Sequence, residues 1–136
     1  MKKVVVNGTF DLIHPGHIHL INYARSLGDF LLVLIDTDQR IQQLKGNQRP
    51  IQNQYTRKLI LENLKAVDQV FLFGNDTELI RRLEAYQPDI MVKGSDYREK
   101  NIIGHQHCKS IVFFERIIEY STTDTVQKIL KNRSNE

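Results

Sequence analysis

Five short apolar runs, each followed by a polar stretch, set the pattern of this chain: 4–6, 30–35, 67–73, 90–92 and 110–114. They are rich in Val, Ile, Leu and Phe and do not alternate with polar residues, which predicts strands buried on both faces, as in a parallel sheet. The stretches between them carry a different period. Leu20, Ile21, Ala24 and Leu27 recur with helical spacing before Gly28, Leu59 to Leu64 give an apolar stripe to a helix over 54–66, and Asp76 opens and caps a third that ends before Pro88. A last helix starts near Ser121 and runs through Val126, Ile129 and Leu130, with a frayed polar tail over 131–136. Residues 39–53 are polar, with Gly46 and Pro50 four apart, and read as a loop. Strand, helix and strand in alternation predict right-handed crossovers and an α/β domain with parallel strands.

The first strand runs into Asn7-Gly8-Thr9-Phe10-Asp11-Leu12-Ile13-His14-Pro15-Gly16-His17 and then into a helix. Such a turn aims backbone N–H groups and the positive end of a helix dipole at one point, which suits a phosphate. Gly8 and Gly16 let main chain approach a ligand, and Pro15 fits a helix start. His14 and His17 lie three apart, so both rings can face one spot and grip charge developing on a phosphoryl group. An ordinary first turn of an α/β domain explains one histidine there and leaves the second without a reason.

At 136 residues the chain is expected to form one domain over 1–136 with a core of its own. The net charge of +3 suits a small polyanion, and no basic stripe interleaved with aromatics marks a nucleic-acid surface. No apolar run is long enough to span a membrane, and the chain opens on a strand rather than a leader. Cys108 is the single cysteine, which excludes an internal disulfide and fits the reducing cytoplasm. It stands near His105 and His107, but three donors in four residues do not make a tetrahedral metal site, so a surface turn with a half-buried thiol is expected.

Ligands of open α/β sheets sit beyond the carboxyl ends of the strands, and the polar residues at those ends are further candidates. Asp36 and Asp38 follow the second strand, where each suits a ribose or a metal as well as it suits a helix cap. Lys45, on the loop leaving that edge, can reach a triphosphate, with Gly46 giving freedom to close. Gly94, Asp96 and Tyr97 end the fourth strand and can frame a base or a sugar, or simply turn the chain. Ser121, Thr122 and Thr123 open the last helix, as caps or as an anion pocket.

Gly8-Thr9-Phe10-Asp11 followed by His14-x-Gly16-His17 resembles the two-part motif of the cytidylyltransferase-like nucleotidyltransferases. The resemblance runs over nearly the whole chain and implies a Rossmann-like three-layer fold, with a five-stranded parallel sheet and helices on both faces. It also implies transfer of a nucleoside monophosphate from a nucleoside triphosphate to a phosphorylated acceptor, with Mg²⁺ accompanying the nucleotide and a homodimeric assembly. Leu44-Lys45-Gly46-x-x-Arg49-Pro50 and Pro88-Asp89-Ile90-x-Val92-Lys93-Gly94-x-Asp96-Tyr97 are similar to segments of heptose-1-phosphate adenylyltransferases, which favours ATP and a sugar phosphate. Arg116, five before Ser121, resembles an element of glycerol-3-phosphate cytidylyltransferases and keeps CTP and a polyol phosphate as the alternative. Nicotinamide-mononucleotide and phosphopantetheine adenylyltransferases fit less well, since Val126 and Gln127 stand where they carry an arginine.

The roles this implies are specific. His14 and His17 act on the α-phosphate and bridging oxygen, and Lys45 on the β- and γ-phosphates. Backbone at Gly8, Thr9, Phe10 and Gly16 cradles phosphate, and Asp11 orients the acceptor or a metal, with no metal ligand assigned directly. Arg57, Gly94, Asp96, Tyr97, Arg116, Ser121, Thr122 and Thr123 bind the nucleotide. A nucleotide-binding module without turnover is the reading from another class, and two histidines with a lysine argue against it.

Overall fold

The computed structural model describes residues 1–115 and 122–134. The strands are β1 (Lys3–Gly8), β2 (Phe30–Asp36), β3 (Gln69–Phe73), β4 (Ile90–Gly94) and β5 (Ser110–Phe114), and the helices are α1 (Pro15–Ser26), α2 (Asp38–Lys45), α3 (Gln54–Glu62), α4 (Asp76–Tyr86) and α5 (Thr122–Ser134). All five strands are parallel, in the order β3-β2-β1-β4-β5, so the expected α/β sheet is present. The chain winds outward from β1 to β3 and then crosses back to β4. Strand order therefore reverses between β1 and β4, and a crevice opens at their carboxyl ends.

Alternate residues of the central strands feed two cores, one on each face. Val4, Val6, Leu31, Val33 and Ile35 pack with Ile21 and Ala24 of α1 and Leu61 of α3. Val5, Leu32, Leu34 and Met91 pack on the other face with Leu79 and Leu83 of α4. Uninterrupted apolar runs are what a sheet covered on both sides requires.

Four local expectations need correction. Residues 38–45 form α2 and are not loop: the Thr37 hydroxyl accepts the Arg40 N–H at 3.3 Å as the helix cap, and Ile41 alone turns fully inward. One buried position in eight residues leaves no readable period. The third helix stops at Glu62, where Asn63 caps it, rather than reaching residue 66. Asn75, not Asp76, caps α4 by accepting the Glu78 N–H at 2.8 Å. Lys131 to Ser134 continue α5 instead of fraying. Among the described residues no helix is long and apolar enough to cross a membrane.

Candidate active site

The turn between β1 and α1 is built around a cap made from two histidines. His14 is the N-cap of α1, and its Nδ1 accepts the Gly16 N–H at 3.1 Å. The His17 Nδ1 in turn accepts the His14 N–H at 3.1 Å, closing a capping box in which imidazoles replace the usual hydroxyl and carboxylate. The two rings stack with centroids 3.9 Å apart, and the Phe10 ring leans on His17 at 5.4 Å. This geometry sets the tautomer. With Nδ1 accepting from backbone, each neutral ring carries its proton on Nε2 as a donor. Phe10 and Leu12 both take left-handed backbone angles, with φ of 53°, a conformation that costs energy in residues with a side chain and recurs at functional turns.

The turn is held from behind. Asp11 is 3% exposed, and its carboxylate oxygens accept the N–H groups of Ile51 at 2.7 Å and Gln52 at 2.9 Å. The Thr122 hydroxyl donates to the Asp11 carbonyl, tying the start of α5 to the same turn. Arg57 is fully buried and donates to the carbonyls of Gln52, Thr9 and Asp36 and to the Asp38 carboxylate, at 2.8–3.0 Å. Two expectations change here. Arg57 faces the interior as a clamp on three loops instead of a phosphate, and the Asp11 carboxylate is engaged with backbone N–H groups rather than turned to an acceptor or metal. Asp36 and Asp38 are likewise paired, with Arg40 at 2.9 Å and Arg57 at 2.8 Å, and Thr37 between them takes the cap.

In front of the turn lies a cleft of about 800 Å³. Gly8, Thr9, Phe10, Asp11, His14, Gly16 and His17 form one wall, and Thr122 and Thr123 border it. Lys45 reaches it from the last turn of α2 and Arg49 from the loop beyond, while Gly46, at φ 98°, ends the helix between them. Gly94, Asp96 and Tyr97 border the far side, where a 3₁₀ turn, Ser95–Tyr97, follows β4. Arg116 and Ser121 lie outside the described residues. The cleft thus gathers all the other predicted site residues except Arg57 and Asp38. His105 and His107 sit on a short 3₁₀ turn elsewhere, and Cys108 is half-buried as expected, its thiol pushed up to about 11 by burial.

Two charged lining residues were not among the candidates the sequence offered. Arg40 donates to Asp36 and, at 2.8 Å, to Asp76 while its guanidinium covers the Phe73 ring. Lys93 ends β4 inside the cleft with its ammonium 4.6 Å from the Tyr97 ring centre. Burial pulls its pKa down to about 8, against the opposing pull of Asp36 and Asp96. A lysine closing an apolar strand run at the ligand edge was the available signal.

The model of the cytidylyltransferase-like family matches residues 5–134. The chain belongs to this family. It is a nucleotidyltransferase. Bifunctional protein HldE of Helicobacter hepaticus is 39% identical over 132 residues, 97% of this chain and 27% of the relative. The HldE protein of Helicobacter pylori strain J99 is 40% identical over 133 residues, 98% of this chain and 28% of its own length. The chain therefore spans little more than a quarter of these curated relatives. A lipopolysaccharide core biosynthesis protein from Thermoplasma volcanium superposes with a TM-score of 0.72 at 27% identity, over 86% of this chain and 98% of that one. Pantothenate synthetase from Thermus thermophilus, at 16% identity and a TM-score of 0.56 over 94% of this chain and 64% of that one, shares the fold.

Proposed function

We propose that this cytidylyltransferase-like domain transfers an adenylyl group from ATP to the phosphate of a sugar 1-phosphate, with heptose 1-phosphate as the leading acceptor, and releases pyrophosphate. A phosphate oxygen of the acceptor attacks the α-phosphorus in line, and the bond to the bridging oxygen of pyrophosphate breaks. The acceptor phosphate is itself the nucleophile, so positioning and charge stabilisation carry the catalysis. The Nε2–H groups of His14 and His17 donate to the α-phosphate and bridging oxygen as charge builds there. Lys45 and Arg49 neutralise the departing β- and γ-phosphates, and Thr123 adds a hydroxyl donor, while the Thr122 hydroxyl holds the turn through the Asp11 carbonyl. The observation that carries this reading is the mutual capping of His14 and His17, which dedicates both Nδ1 atoms to backbone and leaves Nε2 of each as the donor.

Two of the three aspartates lining the cleft are already engaged, Asp11 by two backbone N–H groups and Asp36 by Arg40. That donor set fits a Mg²⁺ ion carried in on the triphosphate better than one caged by protein, and such an ion supplies charge neutralisation when bound. Similarity to a lipopolysaccharide core biosynthesis protein and to HldE proteins, together with the heptose-type segments around Lys45 and Lys93, supports the sugar phosphate. The arginine at position 116 favours the second reading, CTP with glycerol 3-phosphate. The resemblance supports a homodimer, and the single cysteine supports a reducing compartment such as the cytoplasm. Pyrophosphate release with each nucleotide and acceptor pair tests the assignment: turnover with ATP and a sugar 1-phosphate is expected, and binding of nucleotide without turnover on any acceptor would overturn it.

A further inference from the structure

Helix α2 brings Lys45 to the cleft, yet little of the helix itself holds it there. Of its eight residues only Ile41 is buried, and residues 42–45 are all exposed. A helix this short has almost no stability of its own, so its direction is set by whatever fastens it to its neighbours. Beyond it the chain is loose. Gly46 ends the helix with open space around the place of a Cβ, and the chain is next tied down at Ile51 and Gln52, whose N–H groups reach Asp11.

The start of α2 is pinned at one point. Thr37 caps it, the Asp38 carboxylate meets Arg57, and the Asp38 N–H reaches Oε1 of Gln54 at 2.9 Å. A helix held only at its first residue can still swing at its far end. Arg40 supplies the second hold. Its Nε donates to Asp36 at the end of β2 at 2.9 Å, and its Nη2 donates to Asp76 at the start of α4 at 2.8 Å. The guanidinium lies over the Phe73 ring at the end of β3, 5.2 Å from its centre. One planar fork thus grips β2, β3 and α4 together, and a fork fixes direction where a lysine would fix only a point. Arg40 lines the cleft, but two carboxylates already offset its charge, which makes it a poor phosphate contact and a good strut.

We propose that Arg40 is a positioning residue, which sets the direction of α2 and thereby where the Lys45 ammonium meets the triphosphate. The proposal rests on the reading of Lys45 as the cation for the β- and γ-phosphates. A double-mutant cycle on the Kd of Mg-ATP tests it by calorimetry, with Arg40→Met and Lys45→Met made singly and together in the whole chain. Methionine keeps an apolar stem over Phe73 and removes the fork. Lys45→Met is expected to weaken binding about tenfold or more, the loss typical of a hydrogen bond between charged groups. Arg40→Met should weaken it about three- to tenfold in the wild-type background and less than about twofold beside Lys45→Met, where no charge is left to misplace. Asp76 stands outside the cleft lining and is 57% exposed, so Asp76→Ala tests the same strut without endangering the fold. It should weaken binding about two- to fivefold, the reach of an exposed ion pair, and again only when Lys45 is present. Losses that multiply in the double variants would mean that Arg40 meets the nucleotide directly, and a wild-type Kd in Asp76→Ala and in folded Arg40→Met would mean that it serves the fold alone. Either result overturns the proposal. A wild-type Kd in Lys45→Met overturns it together with the role of Lys45, while pyrophosphate release by the wild-type chain decides the transfer reading separately.

Discussion

At the scale of the residue, His17 has two tasks that a mutation separates. Its Nδ1 caps the backbone of His14, and in the proposed transfer its Nε2–H donates to the α-phosphate or bridging oxygen. His17→Ala should therefore unfold only slightly more easily, by the ~1 kcal/mol typical of a lost cap. Its kcat should fall by ~10²–10³, the usual loss of one preorganised donor. Circular dichroism melts and initial rates measure the two effects, and near-wild-type turnover would remove His17 from the mechanism. Lys93 makes a prediction of the opposite kind. Its pKa of about 8 in the folded chain lies below the ordinary 10.5, so between those values the unfolded chain holds more protons and stability rises with pH. The penalty is fully present below pH 8 and fades towards pH 10.5. Lys93→Met should accordingly melt higher than wild type at pH 7, with the gap narrowing by pH 10. A variant that melts lower at pH 7 would show that the ammonium stabilises the fold.

At the scale of the element, the clamps behind the turn matter more than the turn itself. Arg57 holds Thr9, Gln52, Asp36 and Asp38 in one fully buried fork, and no single-point cation spans that set. Arg57→Met should cost ~3–5 kcal/mol by leaving a carboxylate and three carbonyls short of donors. That is a large share of a typical domain stability of ~5–15 kcal/mol. Chemical denaturation reads it, and an unchanged midpoint would refute the clamp. The strands and the histidine turn were legible in the sequence because burial on both faces and a cap at a helix start leave plain residue patterns. Helix α2 was not, since it buries only Ile41, and neither were the roles of Arg57 and Asp11. An arginine in a first helical turn reads the same whether it points at a ligand or at three carbonyls of its own chain. Only the tertiary contacts over 48 residues to Thr9 and 40 residues to Ile51 distinguish the two.

At the scale of the whole molecule, parallel strands bring segments far apart in sequence to one edge. The β1 turn, the end of α2, the end of β4 and the start of α5 border one cleft, and Asp11 links its own turn to Ile51, Gln52 and Thr122. Nucleotide binding should therefore stabilise the molecule as a unit. At a hundredfold excess over Kd, Mg-ATP is expected to add ~2.7 kcal/mol and raise the Tm by several degrees in a single transition. A melt unchanged by saturating nucleotide would mean that the cleft is not its site. The most direct test of the account is pyrophosphate release by the purified chain under four conditions, ATP or CTP with heptose 1-phosphate or glycerol 3-phosphate. The account predicts fastest release with ATP and heptose 1-phosphate. Fastest release with CTP and glycerol 3-phosphate would contradict it.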